Sequence, residues 1–122
     1  MILIVGGAFQ GKTAYAKERF PHIDFLDGAE CDLNSVFGAT GIIHFELFVK
    51  RWIEQTEEDL AEQLYKKNPS VIIVTTEIGY GIVPADRMQR NYRESVGRIC
   101  TKLAGYATEV YRVRLGIGEQ IK

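Results

Sequence analysis

Eight residues near the amino terminus, Gly6-Gly7-Ala8-Phe9-Gln10-Gly11-Lys12-Thr13, complete the pattern G-x-x-x-x-G-K-[ST], a Walker A motif, directly after the apolar run Ile2-Leu3-Ile4-Val5. The pattern restricts the fold, because it works only as a turn between a buried strand and a helix, and Thr13 to Phe20 reads as that helix. Its chemistry is equally restrictive. Glycines let backbone N–H groups approach anionic oxygens, a lysine supplies a point charge that follows the β- and γ-phosphates, and a threonine hydroxyl can ligate Mg²⁺. A purely structural glycine turn would leave the three glycines and Lys12 without a shared explanation.

Strands and helices then alternate. Pro21 stops the first helix, and Ile23 to Gly28 reads as a short strand ending in a turn. Residues 29–41 are polar and glycine-punctuated, which predicts a loop with one helical turn. Ile42-Ile43-His44-Phe45 reads as a third strand. A long helix from about Glu46 to Lys67 is expected next, with Val49, Ile53, Leu60 and Leu64 on one face and Glu54, Glu58 and Glu62 on a solvated one. Val71-Ile72-Ile73-Val74-Thr75-Thr76 is a β-branched run suited to a strand buried on both faces. A helix over 85–106 places Met88, Tyr92, Val96, Ile99 and Leu103 on one arc, and Glu109 to Leu115 alternates as the last strand.

This order predicts an α/β fold, a P-loop NTPase-like three-layer sandwich with a mainly parallel central sheet. With 122 residues, 46% hydrophobic and 25% charged, residues 1–122 are expected to form a single nucleotide-binding domain. A formal net charge of -1 leaves no electrostatic footprint for general nucleic-acid binding. No apolar run approaches the ~18 residues of a membrane span, and a P-loop follows Ile2 to Val5 where a signal peptide would carry its cleavage site, so a cytoplasmic protein is expected. Cys31 and Cys100 fit neither a disulfide framework nor a zinc site.

Ligands of parallel sheets bind at the carboxyl ends of the strands. Glu77 follows the central strand there, where a carboxylate can organise Mg²⁺ or activate a hydroxyl; a glutamate opening a surface loop would read the same way. Gly79 and Gly81 suggest unusual dihedrals or close approach to a ligand. On the 85–106 helix, Arg90, Arg93 and Gly97 form a stripe with Arg87 and Arg98 beside it, able to hold a phosphate or anionic substrate, although each arginine alone reads as a surface residue. His44 either reaches the site or packs as an ordinary histidine, and no histidine metal site is supported. Trp52 and the tyrosines read as core or partly buried aromatics.

Two blocks carry a family resemblance. One is Ile2 to Ala8 with its P-loop; the other is Val74-Thr75-Thr76-Glu77-Ile78-Gly79-Tyr80-Gly81-Ile82-Val83-Pro84 continuing into Arg90-Asn91-Tyr92-Arg93 and Gly97-Arg98. The chain resembles the bifunctional adenosylcobinamide kinase/adenosylcobinamide-phosphate guanylyltransferase family, which has a similar V-T-N-E-V-G-x-G-I-V-P run before an R-x-F-R and G-R helix. The resemblance implies that residues 6–13 bind ATP or GTP, with Lys12 and Thr13 on phosphate and Mg²⁺. It also implies that Glu77 serves the metal or the acceptor hydroxyl, and that Arg90, Arg93 and Arg98 belong to the arginine helix. The implied reaction phosphorylates a corrinoid hydroxyl, and relatives assemble as trimers.

Three departures stand out. The family's Arg-rich helix with its nucleotide-accepting histidine has no counterpart between Asp27 and Gly41; His44 stands where the family has an acid at the end of the third strand; Thr76 replaces an asparagine. A shortened member is therefore expected to keep the kinase and lose the guanylyltransferase, which needs that nucleophile. A non-catalytic nucleotide-binding module, or an NTPase with a different acceptor, is the competing expectation.

Overall fold

The computed structural model describes residues 1–77 and 86–122. Strands β1 (Ile2–Gly6), β2 (Phe25–Asp27), β3 (Gly41–Ile43), β4 (Ile72–Thr76), β5 (Glu109–Arg114) and β6 (Ile117–Gln120) form one sheet in the order β2-β3-β4-β1-β5-β6. Every pairing is parallel except β5 with β6. The helices are α1 (Lys12–Arg19), α2 (Phe45–Gln55), α3 (Leu60–Lys67) and α4 (Arg87–Tyr106), with a 3₁₀ turn at Ser35–Phe37 inside the expected loop. The α/β sandwich of a P-loop NTPase-like fold is therefore present.

Strand alternation sorts the core into two layers. Leu3, Val5 and Ile73 pack with Phe45, Phe48, Trp52, Leu64, Val96 and Leu103, beneath α2, α3 and α4. Ile4, Val74, Tyr111 and Val113 face the other way, against Ala16 of α1. The β-branched run of β4 is buried from Ile72 to Thr75, as a central strand requires. Cys31 and Cys100 are free and half-buried. No helix of the described residues is long and apolar enough to cross a membrane.

Two elements depart from the sequence expectation. The single helix expected over 46–67 is two, because Thr56-Glu57-Glu58-Asp59 satisfies its backbone locally. Thr56 Oγ1 accepts the Glu58 N–H at 3.1 Å, and Asp59 caps α3 by accepting the Glu62 N–H at 3.1 Å. The Glu58 carbonyl, freed from a helical ladder, accepts the Trp52 indole N–H at 3.0 Å. Such side-chain bonds compete with helix continuation. Glu58 therefore lies between the two helices, though it is exposed as expected, like Glu54 and Glu62. Strand β6 is the second departure, and its largely exposed sequence carries no hydrophobic alternation. It forms because Leu115 and Gly116 both take positive φ (53° and 74°), as the two-residue turn of a tight hairpin demands. Met88 also differs: it is exposed, whereas Val96, Ile99 and Leu103 of its arc are buried. Gly79, Gly81 and the expected first residue of the last helix lie outside the described residues.

Between β2 and α2 the chain passes very close to itself. A β-carbon at Gly28 would lie 2.6 Å from the His44 carbonyl oxygen and 2.9 Å from Phe48 Cβ, whereas one at Gly38 would meet nothing within 4 Å. Gly28→Ala is therefore expected to lower stability by about 1–3 kcal/mol, and Gly38→Ala to change it by less than about 0.5 kcal/mol. Urea unfolding of the two variants checks this pair.

Candidate functional site

Gly6 ends β1 so tightly against β5 that a β-carbon there would sit 2.6 Å from the Val113 carbonyl oxygen. The chain then turns through Phe9, fully exposed with φ 61°, and Gly11, with φ 82° at the start of α1. No side chain caps α1, so its first-turn N–H groups remain directed out of the helix end, the arrangement that favours an anion. Lys12 is the first residue of α1, and its ammonium folds back to donate to the Gly7 carbonyl at 3.2 Å. The far side of the loop is fastened to the β5–β6 hairpin: the Gly116 N–H donates to the Gln10 carbonyl at 2.8 Å, and the Leu115 N–H to Gln10 Oε1 at 2.9 Å. The sequence gives no hint of this second anchor.

Glu77 lies beside the loop, its N–H donating to the Gly6 carbonyl at 2.8 Å. Glu77 Oε1 accepts from Arg112 Nη2 at 3.1 Å and Nε at 3.3 Å, an ion pair that is largely shielded on the glutamate side. A second carboxylate, Glu46, went unrecognised as a site residue in the sequence. It is 7% exposed in the first turn of α2, and its Oε1 accepts the Thr76 N–H at 3.0 Å while its own carbonyl accepts from Tyr92 Oη at 2.8 Å. An acid within the apolar run Ile42 to Val49 was the available signal. Burial lowers the Lys12 ammonium below the ordinary lysine range, and the negative fields of Glu46 and Glu77 partly oppose that shift. Burial pushes the Tyr92 phenol up to about 12, so it acts as a neutral donor to α2.

The site residues expected from the sequence divide in space. Gly6, Gly7 and Gln10 of the loop and Glu77 come together at the carboxyl edge of the sheet, in a cleft of about 330 Å³ lined among the described residues also by Arg112, Val113 and Arg114, whereas Lys12 and Thr13 begin α1 and are not among its lining residues. Arg90, Arg93 and Arg98 all lie on α4, and Arg98 lines a separate groove between α2 and α4 together with Lys50, Glu54 and Tyr92. His44 is exposed rather than packed, in a left-handed conformation (φ 53°) before α2. Its Nδ1 is 2.9 Å from Asp27 Oδ1, which also accepts the Ala29 N–H at 2.9 Å. The His44 bond, followed by the Ala29 N–H, holds the Asp27 carboxyl below its ordinary value. Among the described residues no cluster of three or more His, Cys, Asp or Glu side chains forms a metal site.

Lys12 provides a test of whether this site is built at the expense of the fold. Its folded pKa is lowered, so the charged form carries a cost that is fully present at neutral pH and disappears as pH rises through the folded value toward the unfolded one. Lys12→Met is expected to leave the urea midpoint at pH 7 unchanged or raised, with any gain shrinking toward pH 10. A clear loss of stability at pH 7 would contradict this.

The described geometry can be set beside known proteins. A family model described as cobinamide kinase / cobinamide phosphate guanyltransferase (CobU) matches residues 35–121, which includes β3 to β6 and begins after the P-loop. Two proteins named bifunctional adenosylcobalamin biosynthesis protein CobU, from Salmonella typhimurium and Escherichia coli, are each 48% identical over 52 residues. That match covers 43% of this chain but only 29% of each relative's length. With a family model spanning well over half of its residues, the chain belongs to the CobU family of cobinamide kinase / cobinamide phosphate guanyltransferase proteins.

Proposed function

We propose that the chain is a Mg²⁺-dependent kinase that transfers the γ-phosphoryl group of ATP or GTP to a corrinoid hydroxyl in cobalamin biosynthesis, without the guanylyltransferase activity. The observation that carries this reading is the Glu77 N–H bonded to the Gly6 carbonyl at 2.8 Å, which sets a carboxylate beside the P-loop of a CobU-family chain. Attack of the acceptor oxygen on the γ-phosphorus, with departure of the nucleoside diphosphate, concentrates charge on the transferring oxygens. Lys12 and the loop amides are placed to neutralise that charge.

The donor set suits Mg²⁺, which prefers hard oxygen ligands: the Thr13 hydroxyl at the start of α1 and the Glu46 and Glu77 carboxylates. Bound there, Mg²⁺ would supply charge neutralisation across the β- and γ-phosphates. Glu46 is already oriented by the Thr76 N–H. Glu77 Oε1 is held by Arg112, and among the described residues its second oxygen accepts no hydrogen bond, which suits it to serve a metal or the acceptor hydroxyl. Loss of guanylyl transfer is supported by the segment between Asp27 and Gly41, which contains no histidine and forms only a loop with a 3₁₀ turn. A soluble cytoplasmic enzyme acting on nucleotide and corrinoid alone, without nucleic acid or membrane, fits this reading; a homo-oligomer is part of it by family resemblance.

The test is incubation of the purified protein with Mg-ATP or Mg-GTP and cobinamide or adenosylcobinamide, followed by mass analysis of corrinoid and protein. The expected result is a phosphate-mass gain on the corrinoid that disappears in Lys12→Ala, and no GMP adduct on the protein. Phosphorylation surviving in Lys12→Ala would refute the mechanism. Nucleotide binding without corrinoid product would assign the chain to a binding module or to another acceptor. Glu46→Gln, which preserves an oxygen for the Thr76 N–H, is expected to reduce turnover at least tenfold with a much smaller change in nucleotide affinity, separable by initial rates and equilibrium binding.

A further inference from the structure

Among the described residues, the cleft beside the P-loop is lined by arginines of β5 rather than of the expected arginine helix. Strand β5 carries Arg112 and Arg114 two residues apart, hence on one face of the sheet. The parallel register sets Arg112 beside Val5, one residue before β1 ends at Gly6. Arg114 therefore lies beyond the last β1 pairing, at the level of the loop. Both line the cleft with Gly6, Gly7 and Gln10. The wall they belong to is fixed, because the β5–β6 turn bonds Gln10 through two hydrogen bonds and Gly6 rests against the Val113 carbonyl. Glu77 presents a carboxylate to Arg112 at 3.1 Å and 3.3 Å, holding a planar, always-charged group at the cleft.

We propose that Arg112 is a phosphate-binding residue of the P-loop cleft, oriented by Glu77, that recognises the terminal phosphate of a nucleoside triphosphate. This rests on the nucleotide-binding reading above and adds a discriminator to it. A guanidinium can pair with a phosphate through two N–H donors while retaining a contact to Glu77, whereas a diphosphate seated in the same loop lacks the group it reaches. Arg112 thus separates triphosphate from diphosphate, and Arg114 adds a more exposed charge at the rim.

Equilibrium binding of a fluorescent ATP analogue and the matching ADP analogue, in the presence and absence of Mg²⁺, tests this on wild type, Arg112→Leu, Arg112→Lys and Lys12→Ala, with thermal melting to verify folding. The expected result is a loss of triphosphate affinity of about tenfold or more in Arg112→Leu, a diphosphate affinity within about twofold of wild type, and partial recovery in Arg112→Lys. If Arg112→Leu does not fold, Arg112→Lys and Glu77→Gln carry the test, each expected to narrow the triphosphate-to-diphosphate ratio. An unchanged ratio in folded Arg112 variants, while Lys12→Ala abolishes binding, overturns this proposal alone. A wild-type protein that binds neither nucleotide overturns the P-loop reading together with it.

Discussion

The parallel register of β1 between β4 and β5 is the constraint on which the site depends. Gly6 pairs with Thr76, and Val5 sits between Thr75 on one side and Arg112 on the other. The Glu77 N–H then continues the ladder to the Gly6 carbonyl at 2.8 Å. Loop, acid and arginine thereby emerge within a residue of the same strand end. Because side chains alternate across a strand, a slip of one residue in β5 would carry Arg112 to the face of α1 and expose Val113 to the other layer. The two apolar layers, Leu3 and Val5 on one side and Ile4 on the other, make such a slip costly. Packing far from the chemistry thus fixes the chemistry's geometry.

Charge is arranged around that strand end with opposite signs interleaved. Burying an ammonium is unfavourable unless partners offset it. Lys12 has the Gly7 carbonyl as its hydrogen-bond acceptor and the fields of two carboxylates, yet burial still dominates its shift. A site in which burial outweighs compensation is one whose lysine gains from an added anion, and a phosphate would supply that charge. Arg112 and Glu77 restrain each other in the same way, so this wall of the cleft is preorganised.

The outline of the fold was legible because its signals are local. A strand before the glycine loop, a β-branched run for β4 and a helical arc in Val96, Ile99 and Leu103 all follow from period and composition. What escaped the sequence depends on partners distant along the chain. Helix α2 ends at Gln55 because the Trp52 indole recruits the Glu58 carbonyl and Asp59 starts a new helix, a choice no hydrophobic period reports. Strand β6 is visible only once its hairpin turn fastens to Gln10. In the site, Lys12 and Glu77 could be read from a motif and a strand end. Glu46 and Arg112 looked like ordinary helix and strand charges until the sheet order set them beside the loop.

The end of β3 shows how a carboxylate can be delivered from an unexpected position. His44 there adopts a left-handed backbone and turns its ring to Asp27 at the end of β2, so the residue that ends the strand points away from the P-loop's lysine in its bonding. The same left-handed step starts α2 at once: the His44 carbonyl accepts from the Leu47 and Phe48 N–H groups, and Glu46 falls in the first helical turn. An acid at that end of a helix is favoured by the macrodipole. From there it crosses to the end of β4, where its Oε1 meets the Thr76 N–H. A negative field at Lys12 is therefore supplied from the helix that follows β3, by Glu46, although the residue directly after the strand is a histidine.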